Sequence, residues 1–221
     1  MPVETNPMTA VSCAALLFDC DGVLVDSEAS VTSAWTRWAR ELGLDPDAVM
    51  ATVHGRRAVD TVALHVEQAR RAEAVAMIDA FELAEVGATT AIPGAAELLA
   101  SLPPDRWATV TSGKRDLATA RLRAAGLPVP RALVTAGDVA SGKPHPEGYL
   151  AGARLLGVDA SRCAVFEDVP VGVRAGRSAG AGVVVGVGGR AFGADRPDVV
   201  VPDLRAVRWT GEGLELAAGI G

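Results

Sequence analysis

The chain has 221 residues, of which 49% are hydrophobic, so it can bury one complete core or a core that carries an inserted segment. Its formal charge of -6 at pH 7 and its lack of long lysine or arginine runs argue against a nucleic-acid-binding surface. No stretch reaches the roughly 18 unbroken apolar residues that a membrane span needs. The expected partner is therefore a small molecule rather than a nucleic acid or a membrane.

The beginning of the sequence and its cysteines indicate the expected location. Residues 1–12 lack the long apolar stretch of a signal peptide, and we expect them to form a loose tail on a cytoplasmic protein. The chain has three cysteines, an odd number without paired spacing, and we expect all three to be reduced. The expected assembly is a monomer or a weak dimer.

Five short apolar runs rich in β-branched residues recur along the chain. They predict buried strands at 14–18, 107–110, 132–135, 163–166 and 182–187. Helical patterns separate the later runs, at 114–125, 146–156 and 171–179. This alternation predicts a doubly wound, Rossmann-like α/β core with a parallel sheet and crossover connections. Past residue 188 we expect loops with one short strand near 199–201.

The interval between the first and second predicted strands spans about 85 residues and is mostly helical in period. It contains four amphipathic patterns with plausible caps and stops, at 27–42, 45–50, 57–73 and 75–85. A helix at 95–101 then returns the chain to the core, after an expected hinge at 87–92. We therefore predict a helical cap at 27–88, inserted into a discontinuous core made of 1–26 and 89–221.

Two pairs of carboxylates follow predicted strands. Asp19 and Asp21 come after the first strand, on a loop that Gly22 allows to turn sharply, so both can face one site. Glu167 and Asp168 follow the fourth strand. Ligands of open parallel sheets bind beyond the carboxyl ends of the strands, and grouped carboxylates there suit a hard cation such as Mg²⁺. The alternatives are an Asp-rich turn for the first pair and a helix N-terminal charge for the second.

Small polar residues and a lysine follow the other two strands. Thr111, Ser112 and Gly113 lead into a helix, whose first N–H groups can bind phosphate oxygens. Ordinary helix capping by Thr111 or Ser112 is the alternative. Lys143 lies in the loop after the third strand, where Pro144 disfavours helix. We expect its charge to contact phosphate rather than solvent.

These residues together predict a phosphoryl-transfer site, because they supply a nucleophile, a cation, a hydroxyl and a lysine around one anion. Asp carboxylates form aspartyl-phosphates in known enzymes, and Asp19 is the expected nucleophile. Asp21 is then free to protonate the leaving alcohol and later to activate water. Mg²⁺ and Lys143 would share the developing charge.

Four segments closely resemble the haloacid dehalogenase-like superfamily in their order and spacing, at 18–28, 110–113, 142–144 and 166–168. The resemblance extends over residues 14–190 and implies roles for the matched side chains. The implied metal ligands are Asp19, Asp21 through its backbone carbonyl, and Asp168, with Glu167 in support. The implied phosphate contacts are Thr111 and Lys143, with Ser112 and Gly113 on the substrate side of the same loop.

Three chemistries occur in that superfamily, and the residues help to separate them. A dehalogenase typically lacks the second aspartate, which Asp21 supplies here. A phosphonatase uses a cap lysine, and the corresponding segment 53–60 has none. β-Phosphoglucomutase-like enzymes usually carry Gly-x-Ser-Arg there, whereas this chain has Gly55-Arg56-Arg57. A phosphatase is favoured; a phosphosugar mutase is the alternative, and a non-catalytic binding protein of the same fold is a third hypothesis.

The segment 53–60, together with 108–116 and 142–147, also looks like the corresponding segments of sugar-phosphate and polyol-phosphate phosphatases, including enzymes for glycerol phosphate and 2-deoxyglucose 6-phosphate. Its side chains His54, Arg56 and Arg57 could bind substrate hydroxyls or a second anionic group above the core site. The alternative is a solvated basic loop that precedes a helix. The resemblance thus implies Mg²⁺-dependent hydrolysis of a small sugar or polyol phosphomonoester.

Overall fold

The computed structural model describes residues 8–189 and 192–217. Eleven strands lie in these two ranges: β1 (Met8–Ser12), β2 (Ala15–Phe18), β3 (Val25–Asp26), β4 (Thr90–Ala91), β5 (Trp107–Val110), β6 (Leu133–Val134), β7 (Cys163–Glu167), β8 (Val183–Val187), β9 (Val199–Val201), β10 (Val207–Trp209) and β11 (Gly213–Ala217). The α-helices of the same ranges are α1 (Glu28–Glu41), α2 (Pro46–Met50), α3 (Ala58–His65), α4 (Arg71–Ala84), α5 (Ala95–Ser101), α6 (Arg115–Ala124), α7 (Glu147–Leu155) and α8 (Pro170–Ser178).

A parallel sheet of six described strands forms the centre of the molecule, in the spatial order β6-β5-β2-β7-β8-β9. The chain leaves β2 toward one edge, through β5 and β6, and then returns to build the other edge from β7. Helices α6, α7 and α8 each connect consecutive strands of this sheet. The predicted α/β class with a doubly wound parallel sheet is confirmed, and β2 lies where the strand order reverses.

Both faces of the sheet are buried, which explains why its strands are almost continuously apolar. Successive β2 side chains alternate between two clusters: Leu16 and Phe18 pack in one cluster, while Ala15 and Leu17 pack in the other. Phe18 also stacks on Phe166 of the neighbouring strand, with 4.7 Å between ring centroids. This packing fixes the backbone immediately before the carboxylates that follow both strands.

Residues 27–88, called the cap segment below, contain α1 to α4 and join the rest of the chain through the short antiparallel pair β3 and β4. The segment has its own apolar cluster, in which Trp35 and Trp38 make an edge-to-face contact with Ile78 nearby. The predicted boundary inside the cap is wrong at one point. The sequence pattern predicts one helix over 57–73, but α3 ends at His65 and α4 begins at Arg71.

The expectation of a loose tail over residues 1–12 is wrong for 8–12, and residues 1–7 lie outside the described residues. Strand β1 pairs antiparallel with β11, which also pairs with β10. The expectation of loops with one strand beyond residue 188 is therefore also wrong for 207–217. None of the helices described between residues 8 and 217 is long and apolar enough to cross a membrane.

Candidate active site

The carboxyl ends of three adjacent strands place the predicted catalytic residues along one edge of the sheet. Asp19 follows β2, Thr111 follows β5, and Asp168 follows β7. All three side chains are buried and line a cleft between the sheet edge and the cap segment. The cleft thus lies at the reversal of strand order, where open α/β sheets bind their ligands.

Lys143 is the central cation of this edge. Its Nζ lies 2.7 Å from Asp19 Oδ1 and 2.6 Å from Glu167 Oε1, and the side chain is 6% exposed. Burial alone would lower the pKa of Lys143, but the two carboxylates raise it above its ordinary value. Burial raises the pKa of Asp19 to about 7, against the opposing effect of Lys143. The lysine therefore stays charged beside the proposed nucleophile.

Glu167 is held in place by three neighbours. Its Oε1 accepts a hydrogen bond of 2.5 Å from the hydroxyl of Tyr149, and its Oε2 accepts one of 3.1 Å from the Asp168 backbone N–H. A Cβ at Gly172 would lie 1.9 Å from the Glu167 carboxyl carbon, so only glycine leaves room for this carboxylate. Glu167 and Asp19 thus hold the Lys143 ammonium group together.

Asp19, Glu167 and Asp168 form a buried group, called the carboxylate cluster below, in which oxygen atoms of all three lie within 4.8 Å of one another. Lys143 neutralises only one of the three charges, and burying the remaining negative charge is costly without a cation. Carboxylate oxygens are the ligands that Mg²⁺ prefers. The residues present therefore fit the predicted magnesium ion.

Gly22 allows the loop after β2 to run directly against the carboxylate cluster. Its φ of 81° lies in the left-handed region, and a Cβ there would be 2.1 Å from Asp168 Oδ2. The turn is closed by hydrogen bonds from Leu24 and Val25 to the carbonyl of Cys20. Both the backbone angle and the close approach require glycine.

Asp21 lines the same cleft, but its carboxylate has different partners from that of Asp19. Its Oδ1 accepts a hydrogen bond of 2.7 Å from Ser27 and lies 3.0 Å from a guanidinium nitrogen of Arg121. The second terminal nitrogen of Arg121 donates to Glu82 of α4 at 3.2 Å. Asp19 and Asp21 therefore line one cleft, while the carboxylate of Asp21 is turned toward α6.

The loop after β5 carries the predicted phosphate contacts. The backbone N–H of Gly113 donates to Thr111 Oγ1 at 3.0 Å, and Ser112 Oγ donates to the carbonyl of Gly55 in the cap segment at 2.8 Å. Helix α6 has Lys114 at its N-cap, without a side-chain capping bond. Thr111 and Ser112 therefore do not cap helix α6, and that alternative is wrong. Ser112 contacts the cap segment instead of pointing into the open cleft.

The three predicted substrate contacts of the cap segment differ in exposure and in their partners. Arg56 is exposed at the cleft, and His54 Nε2 lies 3.7 Å from a carboxylate oxygen of Glu28. Arg57 pairs with both oxygens of Asp60 and donates to the carbonyl of residue 140 at 3.0 Å. Arg57 therefore connects the cap segment to the Lys143 loop, and its guanidinium is already occupied.

Sequence patterns did not identify Arg121, Glu82 or Tyr149. A signal was present for the first two, because each interrupts the apolar face of its helix. The buried positions of α6 are Leu117, Ala118, Arg121 and Leu122, and those of α4 are Ala74, Ile78 and Glu82. A charged residue in such a stripe must have a partner when the helix packs.

Fold and site together define an α/β enzyme with an acidic site at the carboxyl edge of its sheet. The chain belongs to the haloacid dehalogenase-like hydrolases, whose family model matches residues 13–180. This confirms the resemblance predicted from the four short segments.

Several curated relatives are phosphatases. Hexitol phosphatase A of Escherichia coli strain K12 is 43% identical over 78% of this chain and 82% of that protein. Glycerol-1-phosphate phosphohydrolase 2 of Saccharomyces cerevisiae is 33% identical over 83% and 78%. The 2-deoxyglucose-6-phosphate phosphatase 1 of the same yeast is 31% identical over 81% and 82%. The predicted similarity to sugar-phosphate and polyol-phosphate phosphatases is thus confirmed.

Solved structures share the fold. A hydrolase from Pseudomonas syringae superposes with a TM-score of 0.76 at 26% identity, over 86% of this chain and 93% of that one. A β-phosphoglucomutase from Clostridium difficile has the same TM-score at 22% identity, over 87% and 92%. The second similarity is one of fold alone, so the fold does not separate hydrolysis from phosphate transfer between sugars.

Proposed function

We propose that this chain is a Mg²⁺-dependent phosphatase that hydrolyses small sugar or polyol phosphates through an aspartyl-phosphate on Asp19. The observation that supports this most is the contact of buried Lys143 with both Asp19 and Glu167 inside the carboxylate cluster. A buried lysine beside a buried carboxylate supplies a positive charge for phosphate next to a nucleophile.

The proposed reaction has two steps. An Asp19 carboxylate oxygen attacks phosphorus, the ester P–O bond breaks, and the leaving oxygen takes a proton from Asp21. Water then attacks the phosphorus of the aspartyl-phosphate and gives a proton to Asp21, which releases phosphate and restores Asp19. Lys143 and Thr111 would hold the phosphate oxygens throughout.

Magnesium would be held by Asp19, Asp168 and the backbone carbonyl of Asp21, with Glu167 in support. When bound, it supplies positive charge that offsets both the carboxylate cluster and the phosphate oxygens. Without that charge, a carboxylate nucleophile would repel its anionic substrate.

The cap segment supports a substrate that carries hydroxyls beyond its phosphate. Two cations at the cleft have acidic partners, since Lys114 pairs with Asp79 and Arg57 pairs with Asp60, while Arg56 is exposed. A second phosphate or a carboxylate would therefore meet few uncompensated charges, whereas hydroxyls can hydrogen-bond to paired groups. We propose that residues 27–88 act as a cap that covers the substrate and excludes bulk water.

A substrate panel tests the proposed function. Phosphate release with Mg²⁺ should be fastest for hexitol phosphates, glycerol 1-phosphate and 2-deoxyglucose 6-phosphate, with kcat/KM about tenfold or more above that for a sugar bisphosphate or phosphoglycolate. No phosphate release from any of these esters would contradict the proposal and favour a non-catalytic binding protein. Isomerisation of hexose phosphates without net phosphate release would favour the mutase instead.

Loss of the metal should stop the reaction. We expect chelation with EDTA to abolish turnover and added Mg²⁺ to restore it. The variant Asp168→Asn should need at least roughly tenfold more Mg²⁺ for half-maximal rate and should lose most of the Mg²⁺-dependent rise in melting temperature. Asp105→Asn, in an exposed loop before β5, is the matched control and should behave like the parent protein. An unchanged Mg²⁺ requirement in Asp168→Asn would remove Asp168 from the proposed ligands.

A further inference from the structure

A buried arginine joins the cap segment to Asp21. Arg121 lies on α6, 3% exposed, with one terminal nitrogen 3.0 Å from Asp21 Oδ1 and the other 3.2 Å from Glu82 Oε1. Helix α6 follows the loop of Thr111, whereas Glu82 is carried by α4 of the cap segment. One guanidinium thus contacts two carboxylates that belong to different parts of the molecule.

This arrangement adds little to the free energy of unfolding. Buried ion pairs contribute little net stability, because desolvation of the charges offsets their attraction. The Nε of Arg121 also has no hydrogen-bond acceptor among the described residues, and a buried donor left without an acceptor costs about 1–3 kcal/mol. An apolar side chain on this face of α6 would serve packing as well, so packing does not account for Arg121.

The position of Asp21 gives the arginine a function. In the proposed reaction Asp21 must bring a proton to the leaving oxygen beside Asp19, yet its carboxylate is paired with Arg121 and Ser27, outside the carboxylate cluster. Asp21 has to leave Arg121 to act. If Glu82 were absent, that movement would leave a buried cation without any carboxylate partner, which is strongly unfavourable.

We infer that Arg121 and Glu82 are positioning residues: Arg121 holds Asp21 in a retracted position, and Glu82 allows its release by keeping the guanidinium paired. Because Glu82 is part of the cap segment, Asp21 becomes available only when the cap segment is seated on the core. Proton delivery is thereby tied to a covered cleft. This inference rests on the proposed phosphatase function.

Two substrates with different leaving groups test the inference. Acetyl phosphate releases acetate, which departs without a proton, whereas glycerol 1-phosphate releases an alkoxide that needs one. The ratio of their kcat/KM values reports proton delivery to the leaving group, because kcat/KM covers only the steps up to its departure. For Glu82→Gln we expect kcat/KM on glycerol 1-phosphate to fall roughly tenfold or more and that on acetyl phosphate to change less than about threefold.

A second variant tests whether Arg121 causes the expected loss of kcat/KM in Glu82→Gln. In Glu82→Gln combined with Arg121→Gln no buried cation restrains Asp21, so kcat/KM on glycerol 1-phosphate should recover relative to Glu82→Gln alone. The control is Asp79→Asn, one turn earlier on α4, which removes the cap contact with Lys114 but does not touch Asp21. It should change both substrates by the same factor. Melting temperatures measured in parallel identify any variant that fails to fold.

The outcomes separate the inference from the proposed function. Equal losses on both substrates in Glu82→Gln, or no recovery in a folded double variant, would overturn the inference while phosphatase activity stands. Should the parent protein hydrolyse neither substrate with Mg²⁺, the proposed function itself fails.

Discussion

Asp19→Asn is expected to abolish phosphatase activity and at the same time to stabilise the metal-free protein. The amide cannot attack phosphorus, so kcat should fall by roughly 10⁴-fold or more. Above pH 7, where Asp19 with its pKa of about 7 is ionised, stability should rise by about 1–2 kcal/mol, because one of three buried, mutually repelling carboxylates loses its charge while Lys143 keeps Glu167 as a partner. Phosphate release with Mg²⁺ and chemical unfolding in EDTA measure the two effects.

The loss of activity and the gain in stability together distinguish the proposed nucleophile from an aspartate that stabilises the fold. A carboxylate kept for stability would lower the free energy of unfolding when removed, whereas one kept for catalysis against mutual repulsion would raise it. Asp105→Asn should change neither quantity, since its side chain is exposed in a loop. Appreciable Mg²⁺-dependent turnover by Asp19→Asn would contradict the mechanism.

The central sheet and the residues that follow its strands could be predicted because their signals are local. An apolar run buried on both faces, as in β5 and β7, stands out from its surroundings, and the polar residue that ends it is adjacent in sequence. The residues of β2 and β5 are buried in the core, whereas those of β1 are not. Strand β1 is mostly exposed, and its partner β11 lies about 200 residues away, so neither short stretch reveals the pairing.

Side-chain partners were harder to predict than strand ends. The Arg57 guanidinium is bound by Asp60 and by the loop of Lys143, and Arg121 meets Glu82 from 39 residues away. Such contacts depend on how the cap segment packs on the core, and spacing along the chain carries no information about that. The sequence therefore identifies the residues that react more readily than those that orient them.

Lys143→Met should be harmful to both activity and stability. The variant removes the only cation within 3 Å of Asp19 and Glu167 among the described residues, so kcat should fall by roughly 10²–10³-fold. Leaving two buried carboxylates without a partner should cost about 3–5 kcal/mol in the free energy of unfolding without metal. Lys114→Met is the matched control: this lysine is half exposed, and loss of its ion pair with Asp79 should cost less than about 1 kcal/mol.

Combining Lys143→Met with Asp19→Asn shows whether charge balance alone sets the stability of the site. Above pH 7, where Asp19 with its pKa of about 7 is ionised, the carboxylate cluster and Lys143 together carry two net negative charges, which Asp19→Asn reduces to one and Lys143→Met raises to three. The double variant returns to two and should unfold close to the parent protein in EDTA, while remaining inactive. If it instead unfolds as easily as Lys143→Met, the lysine stabilises the fold mainly through its contact with the Tyr149 ring, whose centroid lies 5.3 Å from Nζ, rather than by neutralising the carboxylate cluster.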